Sequence, residues 1–169
     1  MKPLTLLFIV SGLAVILITP TWAQVIELPE IEIVATRYKY LDALGEEASV
    51  PVQQVEEAVA DFDVQSADFY QDEYDTYRVA FYIPEGRVLA AYDNEGRLLR
   101  TAERFKDVKL PKAVLEAVAE RFPNWGITKD VYLVNYHENT GKANKRYKLT
   151  LENGDKRMRV KINENGKFL

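Results

Sequence analysis

Chemistry in this chain of 169 residues has few residues to draw on. There is no cysteine, so thiol nucleophiles, disulfides and thiolate metal sites are excluded. The single histidine, His137, leaves one imidazole as a general base. A nucleophile would need a serine beside it, and beyond residue 24 the serines are Ser49 and Ser66, neither in a G-x-S-x-G context. His137 therefore reads as an exposed side chain near the Asn139-Thr140-Gly141 turn. The acids Asp61, Asp63, Asp68, Asp72, Glu73 and Asp75 offer oxygen ligands for a hard cation such as Ca²⁺. An EF-hand loop needs a glycine at its sixth position, and none lies between Gly45 and Gly86. The cluster reads as solvated charge. Paired carboxylates for glycoside chemistry need a set separation, and no motif selects a pair. The expectation is no catalytic residue, no cofactor and no metal.

Contact chemistry is better represented. Phe69, Tyr70, Tyr74, Tyr77, Phe81 and Tyr82 interleave with the acids. In a strand, alternation puts Tyr77 and Phe81 on one face and Tyr82 on the other. Tyr70, Tyr74 and Tyr82 are candidates for binding a basic protein or peptide, because tyrosine is enriched in interface cores. The competing reading is that the rings plug the gap between helix and sheet. Near the C-terminus Lys148, Arg157, Arg159 and Lys161 alternate with Leu149, Met158, Val160 and Ile162. That pattern sets a basic face, able to meet an acidic partner or a lipid headgroup, against an apolar one. The competing reading is a solvated face whose charges resist edge aggregation.

The elements that must position these side chains follow from periodicity. Pro51 opens a helix with Val52, Val55, Val59 and Phe62 on one stripe and Gln53, Glu56 and Glu57 off it. Strands run from Tyr77 to Ile83, Arg87 to Tyr92 and Leu98 to Arg104, the last two joined by the Asp93-Asn94-Glu95-Gly96 loop. Pro111 opens a second helix with Val114, Leu115, Val118, Ala119 and Phe122 as its apolar stripe. Val131 to Tyr136, Arg146 to Leu151 and Met158 to Ile162 are further strands. Residues 25–37 alternate weakly around Ile31 and Ile33, and Pro29 forbids a central ladder position, so they read as an extended arm or edge strand. Residues 38–50 read as a linker.

Ahead of the arm, Lys2, an apolar run from Leu4 to Ile18, and Thr21-Trp22-Ala23 have the three parts of a signal peptide. A membrane anchor would need about 20 apolar residues. The run is shorter and Pro20 ends it, so cleavage after Ala23 is expected, with no membrane span left in the mature chain. Cleavage removes Lys2 and no acid, so a formal net charge of −4 becomes −5, which argues against nucleic-acid binding. The expected location is the periplasm or the exterior of a bacterial cell.

The two halves match at an offset of 70 residues: Tyr77 with Tyr147, Arg87 with Arg157, Asp93 with Asn163, and Gly96 with Gly166. This predicts an α+β chain of two tandem helix-plus-antiparallel-sheet units, about 51–104 and 105–169, behind a signal peptide (1–23) and an arm (24–50). The run Ala91-Tyr92-Asp93-Asn94-Glu95-Gly96-Arg97-Leu98-Leu99-Arg100-Thr101-Ala102-Glu103 is followed by Leu110-Pro111, the helix to Phe122-Pro123, and the strand pair from Tyr147 to Gly166. Together these resemble the PepSY-like family of exported bacterial proteins, grouped with β-lactamase-inhibitor-like folds. The resemblance covers residues 51–169. It implies the repeated architecture, no catalytic residues, and binding or inhibition of another protein. The expected function is a non-enzymatic binding or inhibitory module that contacts another envelope or secreted protein through its sheet faces. The alternatives are a structural accessory factor of the outer envelope acting through the arm, and an enzyme with an unrecognised carboxylate site.

Overall fold

Pro29 and Pro51 each stand in the first turn of a helix, where a missing N–H leaves no hydrogen bond unmade. In the computed structural model, which describes residues 29–45 and 48–169, α1 spans Pro29–Leu44 and α2 Val50–Ala60. They are followed by β1 (Thr76–Ile83), β2 (Gly86–Asp93), β3 (Leu98–Lys106), α3 (Lys112–Arg121), β4 (Gly126–His137), a 3₁₀ turn at Glu138–Thr140, β5 (Lys142–Asn153) and β6 (Lys156–Asn163). Among the described residues the fold is mixed α/β, with three helices and one six-stranded antiparallel sheet in the order β1-β2-β3-β4-β5-β6. The six strands expected between Tyr77 and Ile162 are present, joined in a single sheet whose edges are β1 and β6.

The arm is where expectation and structure part. Most of residues 24–50, read as an extended arm and linker, form α1. An Ile-x-Ile-x-Ala pattern satisfies a strand over five residues, but Thr36, Tyr40 and Leu44 recur at four-residue spacing and all three are buried. Packing of that stripe on the sheet decides for the helix. The signal segment and residues 24–28 lie outside the described residues. Among the described residues no helix is long and apolar enough to cross a membrane.

The helices cover one sheet face. α1 packs on β3 and β5, and α2 on β1 and β2. α3 closes on the last turn, where the Phe122 and Phe168 rings meet edge to face at 5.6 Å and the Arg121 guanidinium sits 4.6 Å from the Phe168 centroid. Two helix stripes need correction. Glu56, placed off the α2 stripe, is buried, because it lies one turn from Val52 and shares its face. Leu115 and Ala119, placed on the α3 stripe, are exposed, and Val114 and Val118 alone carry the burial within that helix. One core cluster joins the buried residues of all three helices to Tyr77, Val88, Tyr92, Phe105, Tyr132, Tyr147 and Ile162 of the sheet.

The loops after β2 and β6 share one hydrogen-bond pattern. Asp93 Oδ1 accepts from the backbone N–H of Glu95 (3.0 Å) and of Arg97 (2.9 Å). Asn163 Oδ1 accepts from Asn165 (3.2 Å) and Lys167 (2.8 Å). Gly96 and Gly166 both take positive φ, 86° and 78°. At the start of β2 the strands approach closely. A Cβ at Gly86 would sit 2.0 Å from the Arg104 carbonyl oxygen. Gly86→Ala is expected to destabilise the chain by about 3 kcal/mol, since backbone must move to admit the methyl. Urea unfolding of the variant checks this.

Candidate functional site

The face of the sheet opposite the helices carries the site, and the strand register orders it into rows. Ala80, Leu89, Ala102, Asn135 and Asn144 stand opposite one another from β1 to β5 as a neutral row. On one side of it run Arg78, Ala91, Arg100, His137 and Lys142. On the other side run Tyr82, Arg87, Arg104, Leu133 and Arg146. Beyond these, Lys106, Val131, Lys148 and Lys161 form a further row, then Lys129, Thr150 and Arg159. Successive rows are about 7 Å apart, two residues along a strand. Among the paired strand positions of this face two carboxylates occur: Asp93, opposite Thr76 and bound to Arg97 at 2.6 Å, and Glu152, bound to Arg157 at 2.8 Å.

Four of the expected contact residues, Lys148, Arg157, Arg159 and Lys161, lie on this face and are exposed. Tyr82 joins them there, 70% exposed, opposite Arg87. Tyr70 and Tyr74 do not. Tyr70 is half-buried, stacked on Tyr77 at 5.3 Å, and its hydroxyl donates to the Asn94 carbonyl at 3.1 Å. Tyr74 lies edge-on to the same ring at 6.3 Å. Phe62 likewise sits among Phe69, Phe81 and Tyr92. Tyr70, Tyr77 and Phe81 thus fill the join between α2, its following loop and the sheet, while Phe69 and Tyr74 stay half-exposed beside them. The acids of that loop are used locally: Asp61 binds Arg37 at 2.7 Å, and Asp63 accepts from the N–H of Gln65 at 3.0 Å.

Sequence reading missed the cations of the first four strands, Arg78, Arg87, Arg100, Arg104, Lys106 and Lys129, together with Lys142 and Arg146 of β5. Each alternates with an inward residue, so a signal was present strand by strand. What periodicity cannot supply is that all six strands share one sheet and therefore one face.

A second group missed by sequence lies under α1 and α2. Glu56 and Glu103 are each 2% exposed. Glu103 Oε1 accepts from Tyr40 Oη (2.9 Å) and Thr101 Oγ1 (2.6 Å). Glu56 Oε1 and Glu103 Oε2 are buried, and no N–H or O–H donor of the described residues reaches them. A proton shared between the two carboxyls satisfies both oxygens. Burial, then the neighbouring Glu103 charge, pushes the Glu56 carboxyl up to about 9. Burial also raises Glu103, opposed by the hydrogen bonds from Thr101, Tyr40 and Glu56 and by the Lys145 charge. Lys145 Nζ in turn donates to the Leu44 carbonyl at the end of α1. A glutamate at an inward strand position, between Thr101 and Phe105, was the legible sign of this pair. A cleft of about 860 Å³ between α1 and α2 touches Glu56, Glu57 and Asp42. Glycoside hydrolysis by paired carboxylates needs them about 5 Å or more apart across an open cleft, whereas these two face each other inside the core, each 2% exposed.

No family model matches the chain, and no curated protein matches it. Among solved structures it is similar to a BLIP-like protein from Bacteroides fragilis NCTC 9343, with 17% identity over 86% of each chain and a TM-score of 0.33. At that TM-score the likeness carries no functional argument, and the PepSY-like resemblance rests on the residues quoted above.

Proposed function

We propose that this chain is an exported, non-enzymatic binding module that contacts another protein through the open face of its sheet. The observation that carries this reading is the array of cations flanking a neutral row on a face that no helix of the described residues covers. The three-part front segment supports export. The common loop pattern at Asp93 and Asn163, with the 70-residue offset, supports descent of the sheet from a duplicated unit. The accessory-factor reading needs a free arm. Tyr40 and Leu44 of that segment are fully or nearly fully buried against the sheet, which takes this part of it out of contact with a partner. The enzyme reading loses the buried pair, since Glu56 and Glu103 are enclosed; the exposed acids at the α1–α2 cleft are Asp42 and Glu57.

The test is capture from an envelope extract of the native host with the tagged full chain. A protein should be retained by the wild type and by Lys112→Ala on the helix side, and lost with Ala102→Trp at the centre of the open face. Retention of the same proteins by all three chains contradicts the reading.

A further inference from the structure

We infer that the open face takes the acidic surface of a folded protein, seating guanidinium groups on carboxylates around an apolar floor. This rests on the reading of that face as the contact surface and adds the chemistry of the partner.

The first observation is the price the sheet accepts for the array. Arg87 stands directly opposite Arg104, and Lys148 opposite Lys161. Like charges at directly opposed positions are destabilising. An ordinary solvated face interleaves both signs, and the chain has acids to spare: 26 Asp+Glu against 22 Lys+Arg. Apart from Asp93 and Glu152, both bound to arginines, they lie off the paired positions of this face, six of them from Asp61 to Asp75. An acidic chain with a cationic face has separated its charges in space. A counter-charged partner turns the opposed like pairs from a penalty into two-sided salt bridges.

The second observation distinguishes a protein from a simple polyanion. The neutral row runs between cationic rows, with Leu89 standing between Ala80 and Ala102. Leu89 is 43% exposed. Tyr82 stands beside it. A small-residue floor with leucine and tyrosine, rimmed by arginine, has the core-and-rim anatomy of a protein interface. A polyphosphate, polysaccharide or headgroup layer needs the charge but has no use for the floor. Arginine presents a planar fork that matches a carboxylate in bidentate fashion.

The third is size. Six strands at about 4.8 Å and eight residues at about 3.4 Å give a face of roughly 800 Å². A stable protein complex buries about 800 Å² on each partner.

The experiment places a photo-crosslinking amino acid at position 102 of the full chain in cells of the native host and identifies what it captures. The captured protein is then titrated against purified chain. The expected result is an acidic protein whose affinity falls at least tenfold between about 50 and 300 mM NaCl. The double reversal Arg104→Glu/Arg159→Glu should weaken it a further hundredfold or more. Both side chains are exposed, and an unchanged thermal midpoint verifies that the variant folds. Crosslinks confined to lipid, to polysaccharide or to a second copy of this chain overturn the inference. So does a captured protein whose affinity ignores salt and charge reversal, which would leave the proposed binding function standing. Absence of any protein crosslink at position 102 overturns both.

Discussion

Replacing Glu56 by glutamine should raise the thermal midpoint of the protein at pH 8 by on the order of 10 °C and flatten its dependence on pH. Glu56 in the unfolded chain titrates near 4.5, and in the fold near 9. Between those values the folded state holds a proton that the unfolded state has released. Stability is therefore full below about pH 4.5 and is lost progressively as pH rises through 9. Retaining that proton at pH 7 costs the wild type on the order of 3 kcal/mol. Glutamine has the same shape, offers an N–H to Glu103 Oε2, and has nothing to titrate. The two proteins should unfold at nearly the same temperature at pH 5 and diverge steadily above it. A residual slope in the variant belongs to Glu103, whose carboxyl burial also raises. Calorimetry at pH 5, 7 and 8.5 decides; parallel curves would show that Glu56 does not hold the proton.

The second large effect is expected at Tyr40. Its side chain is fully buried, its ring meets Tyr136 edge to face at 5.1 Å, and its hydroxyl donates to Glu103 at 2.9 Å. Tyr40→Ala removes the ring, leaves a cavity beneath α1 and takes a donor from a buried carboxylate. The expected loss is about 4 kcal/mol, a large part of the 5–15 kcal/mol typical of a domain. Tyr40→Phe keeps the ring and loses only the hydrogen bond, about 1.5 kcal/mol. Urea titration measures both. Amide exchange should show α1 losing protection before the strands, because Tyr40 is its main anchor on β3. An unchanged urea midpoint in Tyr40→Ala would mean that α1 stands outside the cooperative core.

What the sequence determined by itself is local. Alternation of apolar and polar residues placed every strand, because a two-residue period survives wherever one face is buried. Pro51 and Pro111 marked α2 and α3, since proline is comfortable only in a first turn. The Asp93 and Asn163 loops were legible because their side chains satisfy their own backbone. Lys148, Arg157, Arg159 and Lys161 were legible as one face for the same reason as the strands. Tertiary structure decided the rest. Residues 31–35 suit strand or helix, and only the docking of Tyr40 and Leu44 on the sheet selects α1. Glu56 and Glu103 are 47 positions apart in the chain, so the two carboxyls meet only once α2 packs on the sheet. Tyr70 and Tyr74 turned toward Tyr77 because a gap between helix and sheet excludes water best when filled with rings. The cations of six separate strands became one surface because hydrogen bonding joins the strands edge to edge. Periodicity tells each strand which way a side chain points, but not which other strands point with it.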